Sequence, residues 1–198
     1  MSQLLHLEFD HISRFDITDL RNFSDSWCES VVDERRRMES QLARLLLDRS
    51  CQKILQKKFT ACAFKKNEFG KPYLENHPDL YLSITHSHGY VCTAISDSAI
   101  GIDFEKIDPT FSDDLRIAFD EDDWQKVSKD TFLIYKYFSL KESYSKMMGC
   151  GFTQEPSSIK ISELQHKTFV NIFENNSCSF IFTLIAQNSE LSQLLKFD

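Results

Sequence analysis

Residues 98–108, "SAIGIDFEKID", decide how the chain is read. An apolar lead through Ile100 and Ile102 predicts a β-strand, and the strand then carries two acids, Asp103 and Glu105, with Phe104 between them. Strand residues two apart share a face, so both carboxylates project together while Phe104 packs the other way. Like charges side by side are unfavourable without a positive group between them. Two readings follow: a solvated acidic strand face, or a Mg²⁺ site, since that ion takes oxygen ligands, typically one or two carboxylates together with waters and phosphates.

Working outward, "YVCTAIS" (90–96) reads as a second strand joined to the first by Asp97-Ser98-Ala99, which predicts a hairpin. "LLHLEF" (4–9) and "DLYLSITHSHG" (79–89) give two more strands, the latter ending in a His- and Ser-rich loop. Residues 33–58 read as a long helix, and Ser112–Ser128 as helices with an acidic break. Residues 130–149 read as a helix with Asp130 at its N-cap and Gly149 at its C-terminal stop. Ile159–Ser162, Thr168–Phe173 and Ser179–Ile185 read as β runs, with residues 174–177 as the turn between the last two. Strand and helix material in both parts predicts an α+β fold of two packed halves.

The 130–149 helix presents Leu133, Tyr137, Leu140, Tyr144 and Met147 as an apolar stripe, with Ile134 and Phe138 widening it. Glu142 and Lys146 stand on it at i, i+4. They read either as a helix ion pair worth about 0.3–0.5 kcal/mol, or as a carboxylate for a metal and an ammonium for a phosphate, because charge on a packed helix is costly. His86 in "SITHSHG" and Lys71 in Gly-Lys-Pro have the same choice between structural or surface roles and phosphate binding. His86, His88 and Cys92 lack a convincingly spaced fourth ligand for zinc.

The formal net charge of −7 argues against a general nucleic-acid binder. Basic residues nonetheless gather between Arg35 and Lys71, as a solvated helix face or as a local anion site. Six cysteines without a CxxC, no signal-peptide pattern and no apolar run near the roughly 18 residues of a membrane span predict a soluble cytoplasmic protein with reduced thiols.

Four segments in order resemble the 4′-phosphopantetheinyl transferases, in the long monomeric type that activates peptidyl and acyl carrier proteins. "FGKPY" (69–73) is similar to that family's Gly-Lys-Pro motif, "LSITHSHGYVCTAIS" (82–96) to its strand with Ser-His, "GIDFEKI" (101–107) to Gly-Ile-Asp-Ile-Glu, and "FSLKESYSKMMGCGF" (138–152) to Trp-Ser-x-Lys-Glu-Ser-x-x-Lys. Phe138 replaces the Trp, and Ser83-Ile84-Thr85-His86 stands where Asn-x-Ser-His is commoner. The resemblance implies two similar α+β halves related by a pseudo-twofold axis, 1–98 and 99–198, with the site in the cleft between them. It implies a holo-[acyl-carrier-protein] synthase type of activity: phosphopantetheine moves from coenzyme A to a carrier-protein serine, releasing adenosine 3′,5′-bisphosphate. It further implies Mg²⁺, or Mn²⁺, on Asp103, Glu105 and Glu142, with Asp103, Glu142 and Lys146 catalytic. Coenzyme A would be held by Lys71, Thr85, His86, Lys141, Lys146, Arg44 and Arg37. The expected partners are coenzyme A and a carrier protein, with no nucleic acid or membrane span, and the chain is expected to be a monomer. The alternative is a catalytically silent relative that binds coenzyme A or a carrier.

Overall fold

The computed structural model describes residues 4–111, 113–149, 155–164, 168–175, 178–188 and 190. The expected turn over 174–177 and the end of the fourth motif, residues 150–152, lie partly or wholly outside them. Eight strands are described: β1 (Leu5–His11), β2 (Phe64–Lys66), β3 (Pro72–Leu74), β4 (Tyr81–Ser87), β5 (Tyr90–Ser96), β6 (Ile100–Lys106), β7 (Thr168–Asn175) and β8 (Cys178–Ala186). The helices are α1 (Ile17–Arg21), α2 (Ser26–Ser30), α3 (Glu34–Leu55), α4 (Glu121–Val127) and α5 (Thr131–Met148). The strands form two sheets, ordered β1-β5-β4-β3-β2 and β6-β8-β7, with every pairing antiparallel. The α+β class is as expected.

The expected hairpin between residues 90–96 and 100–105 does not form. β5 lies between β1 and β4, and β6 pairs with β8 in the other sheet. Alternation shows that a segment is a strand but not which neighbour it takes. The hairpin instead lies one element earlier, where His88 (φ 54°) and Gly89 (φ 87°) make the two-residue turn from β4 to β5. Two left-handed residues match the twist of the flanking strands. Residues 159–162 are not a strand either, since Ile161–Glu163 form a 3₁₀ turn.

α3 packs on the larger sheet, burying Leu42, Leu46 and Leu47 together with Leu82, Val91 and Ile95. α5 crosses β6 and β8, with Leu140 against Ile159, Leu164 and Ile185. Between the sheets lies an aromatic core. Phe104 stacks on Phe180 at 5.2 Å and tilts against Tyr90 at 5.7 Å, which accounts for the residue that separates the two acids. The caps hold as read: Asp130 accepts from the N–H groups of Phe132 and Leu133, and Gly149 closes α5 at φ 70°.

Two local features fix α5. First, a Cβ on Gly101 would lie 1.8 Å from the Ser143 carbonyl oxygen and 2.6 Å from the Met147 nitrogen, so helix and strand backbones touch there because Gly101 has no side chain. Second, Asp123 on α4 is buried; it takes the Ile161 N–H at 2.9 Å and the Lys126 ammonium at 3.0 Å. Burial pushes its carboxyl up, but these donors, with Lys141 nearby, hold it below the ordinary 3.8.

Gly101→Ala is expected to destabilise the fold by about 2 kcal/mol or more, since backbone cannot yield as a flexible side chain can; urea unfolding measures it. A carboxyl held low when folded adds stability above its unfolded-state value, and that stability is lost as pH falls through the folded value. Asp123→Asn should therefore lower the urea midpoint at neutral pH and narrow its gap from the native protein at about pH 3.

Candidate active site

β4 alternates Ser83, Thr85 and Ser87 on one face with Leu82, Ile84 and His86 on the other. The first face meets β6 without pairing to it as a strand. Ser83 Oγ accepts the Ile102 N–H at 3.0 Å, and Thr85 Oγ1 accepts the Phe104 N–H at 3.1 Å. Thr85 also donates to Asp103 Oδ1 at 3.1 Å, and Ser87 Oγ donates to Glu105 Oε2 at 3.3 Å. Hydroxyls thus stand in for the carbonyls of an adjacent strand along the open edge of β6, where unpaired N–H groups would be costly.

Asp103 is buried and heavily bonded. Its Oδ2 accepts from Ser139 of α5 at 2.8 Å, and its Oδ1 takes the Lys146 ammonium at 2.6 Å. Ser139 and Ser143, one helical turn apart, both meet the Thr183 hydroxyl of β8, at 2.8 and 2.7 Å, and tie helix to sheet behind the aspartate. Burial and the charge of Asp103 push Glu105 up to about 8. Burial also raises Glu142, with Asp103 adding to the shift and Lys146 opposing it. Burial alone would lower Lys146, but Asp103 foremost, then Glu142 and Glu105, hold its ammonium above the ordinary lysine value.

The structure therefore gathers Asp103, Glu105, Glu142 and Lys146 at one place. Of the two readings open for Glu142 and Lys146, the helix ion pair is not what forms: the Lys146 ammonium bonds Asp103 across to β6. Among the described residues, no three His, Cys, Asp or Glu side chains form a ready cation cluster. The donor set nonetheless suits a hard cation: three oxygen-bearing side chains in electrostatic reach of one another, two of them pushed up by burial first and by the neighbouring Asp103 charge second, with Lys146 opposing.

A cavity of about 330 Å³ runs from Glu142, Ser145 and Lys146 to Arg44 and His86. Two buried polar atoms on its lining residues, Arg44 Nη2 and Ser145 Oγ, have no hydrogen-bond partner among the described residues. Such orphans are rare and ask for a ligand or water. Arg44 is otherwise anchored: Nε donates to Asp25 at 3.0 Å and its guanidinium lies over Phe64. Trp27, half-exposed at the rim, carries the Lys66 ammonium 3.6 Å from its ring centroid. A second cavity, of about 560 Å³, adjoins across His86 and is lined by Arg35, Arg36 and His88.

Several expected positions differ. The resemblance implies phosphate contacts from both Thr85 and His86, but adjacent strand residues face opposite ways, and the Thr85 hydroxyl is committed to β6. Lys141 is wholly buried. Its ammonium donates to the Ala118 carbonyl at 2.9 Å beside Asp123 and the Phe119 ring, one helical step round from Glu142 and outside the cavity lining. Burial lowers it, and Asp123 opposes the shift. Arg37 lines a separate cavity with Arg21 and Glu29, while Arg35 and Arg36 turn toward His86. Lys71 lines the cavity that reaches Glu142 and Arg44, yet its ammonium caps α5, donating to the Lys146 and Met147 carbonyls at 2.6 and 2.7 Å. Asn67 completes that clasp on Gly149 O at 3.0 Å.

Sequence reasoning passed over Glu39, Trp27, Ser139 and Thr183. The Ser-x-Thr-x-Ser alternation of β4 and the Ser-x-x-x-Ser spacing of α5 were the available signals for the hydroxyl network. Thr85→Val is expected to cost about 1–3 kcal/mol, because it strands the Phe104 N–H and removes a donor from buried Asp103; thermal and urea denaturation test it, and an unchanged midpoint would discount the hydroxyl seam.

Residues 99–190 match the 4′-phosphopantetheinyl transferase superfamily. The chain is 31% identical over 147 residues to the 4′-phosphopantetheinyl transferase gsp of Aneurinibacillus migulanus, covering 70% of this chain and 60% of that protein. It is 31% identical over 103 residues to the 4′-phosphopantetheinyl transferase Sfp of Bacillus subtilis, 50% of this chain and 46% of the relative. It is 27% identical over 175 residues to the L-aminoadipate-semialdehyde dehydrogenase-phosphopantetheinyl transferase of Candida glabrata, 77% and 66% respectively. The matches thus span about half to two-thirds of the length of these relatives.

Proposed function

We propose that this chain, which belongs to the 4′-phosphopantetheinyl transferase superfamily, moves 4′-phosphopantetheine from coenzyme A to a serine of an acyl or peptidyl carrier protein. The observation that carries the reading is a single cavity with a cationic end and a carboxylate end. Arg44 with its orphan Nη2, together with His86, faces one end, and Glu142 with Lys146 faces the other. A nucleoside 3′,5′-bisphosphate whose 5′-phosphate is joined by one bridging oxygen to a reacting phosphorus is the kind of ligand such a cavity suits.

Asp103, Glu105 and Glu142 would hold Mg²⁺ or Mn²⁺, and when bound the ion supplies charge neutralisation to the pyrophosphate and polarises its phosphorus. The protein's own part is positioning and electrostatics. Arg44 and His86 meet the anionic nucleotide end. Glu142 receives the proton of the attacking serine hydroxyl as its oxygen bonds to the β-phosphorus of coenzyme A. The bond from that phosphorus to the bridging oxygen breaks, and adenosine 3′,5′-bisphosphate leaves with the electron pair. Lys146, which shares its ammonium with Asp103, compensates charge on the leaving phosphate. Asp103 keeps that ammonium at the reacting end, while Ser139 and Thr85 keep Asp103 in place. Carrier domains are typically acidic, so a chain of net charge −7 would meet them through a local basic or apolar surface. The products would be holo carrier proteins, and the chain would act as a monomer in the cytoplasm. Among the described residues, no helix is long and apolar enough to cross a membrane.

Mass spectrometry of an apo carrier panel incubated with coenzyme A and Mg²⁺ should show one phosphopantetheine added to the carrier serine. Asp103→Ala and Glu142→Gln should each abolish the adduct while the protein remains folded by circular dichroism. No adduct on any carrier would defeat the reading, and full activity in either variant would defeat the metal assignment.

A further inference from the structure

Glu39 is a charged side chain in an expensive place. It lies on α3, is 2% exposed, and belongs to none of the motifs that resemble the family. Its two oxygens are nevertheless fully engaged. Oε1 accepts the Gly89 N–H at 2.7 Å and the Arg35 Nε–H at 3.2 Å, and Oε2 lies 3.1 Å from His86 Nδ1. Burial pushes the carboxyl up, but the bonds from His86 and Gly89, with Arg35, hold it below its ordinary value, so it is an anion.

Two consequences follow for His86. A carboxylate only accepts, so the proton between the pair sits on His86 Nδ1. The ring is thereby fixed in orientation, and its other nitrogen, Nε2, has no hydrogen-bond partner among the described residues. His86 lines both cavities, and it stands at the end of β4 just before the His88-Gly89 turn, which Glu39 also holds through the Gly89 N–H. One buried carboxylate thus sets both the backbone that follows the histidine and the histidine's ring.

We propose that Glu39 is a positioning residue for an anionic ligand: it holds His86 with Nδ1 turned inward and Nε2 turned to the cleft, and offsets the charge of a second ring proton so that Nε2–H can donate to a phosphate oxygen. A buried carboxylate near an anion site would by itself repel the ligand. It serves binding here only through His86, whose ring it orients with one oxygen while Arg35 occupies the other. The proposal rests on the coenzyme A reading above and assigns that reading a residue outside its motifs.

The test is calorimetric titration of coenzyme A into the native protein, Glu39→Gln, His86→Ala and the double variant, with thermal denaturation of each. Glu39→Gln should weaken binding roughly tenfold, about one charge-assisted contact. In the His86→Ala background the same change should alter affinity less than about twofold, since a residue acting through another has no effect once that partner is gone. Additive losses, or unchanged affinity in Glu39→Gln, overturn the proposal. Should Glu39→Gln fail to fold, nitrogen-resolved NMR of the native protein decides: His86 is expected with its proton on Nδ1 and with a new Nε2–H signal when coenzyme A is added. A neutral Nε2–H form in the free protein, or no new signal on saturation, overturns it. Native protein that binds no coenzyme A overturns the transfer reading itself, whereas native binding with an indifferent Glu39→Gln overturns only the role of Glu39.

Discussion

The cleft depends on a missing methyl group. At Gly101 the backbones of β6 and α5 come close enough that any Cβ would lie inside the Ser143 carbonyl. That approach brings Ser139 and Lys146 onto Asp103, which lies two residues along the strand. Were the helix held off by the thickness of a side chain, the bonds of 2.6–2.8 Å to Asp103 could not form. A buried carboxylate would then stand beside Glu105 with only the Thr85 hydroxyl to offset it, and a buried charge without its ammonium destabilises strongly. The glycine in Gly-Ile-Asp is therefore as much a part of the charged site as the aspartate.

A second constraint acts from the other side. Among the described residues, the open edge of β6 has no strand beside it in its own sheet, and the hydroxyls of Ser83 and Thr85 satisfy the Ile102 and Phe104 N–H groups instead. Apolar packing would hold the two sheets together with some freedom to slide. Hydroxyl-to-backbone bonds fix the offset between β4 and β6, and with it the distance from His86 on one face of β4 to Asp103 beyond the other. The cationic and carboxylate ends of the cavity are set by one strand read on both faces. Lys71 and Asn67 close the frame by gripping the last turn of α5.

What could be read in advance divides along physical lines. Periodicity and end signals are local, so β6, α5 and the roles of Asp130, Phe104 and Gly149 were legible from their own neighbours. Strand partnership is not local: nothing in residues 90–105 says that β5 and β6 part company for different sheets. Side-chain commitment is still less local. Lys141 and Lys146 both look like helix lysines beside an acid, and only the fold reveals that one faces the Ala118 carbonyl and the other Asp103. Thr85 and His86 could have been separated by strand alternation alone, had it been weighed against the motif that joins them. Glu39 gave no signal, because a glutamate among arginines on a helix reads as surface.

The placement of the two tryptophans has a spectroscopic consequence. Trp124, partly buried on α4, packs against Phe119 and under Arg116 in the half that holds the smaller sheet. Trp27 stands half in solvent at the rim shared by both cavities, with an ammonium against its ring. The chain holds no other indole. Each has a cation against its ring, but the two emit from unlike surroundings, one partly shielded and one half in solvent. A change in the red-shifted part of the intrinsic fluorescence reports on the cleft, and the blue-shifted part serves as an internal reference for the integrity of the fold.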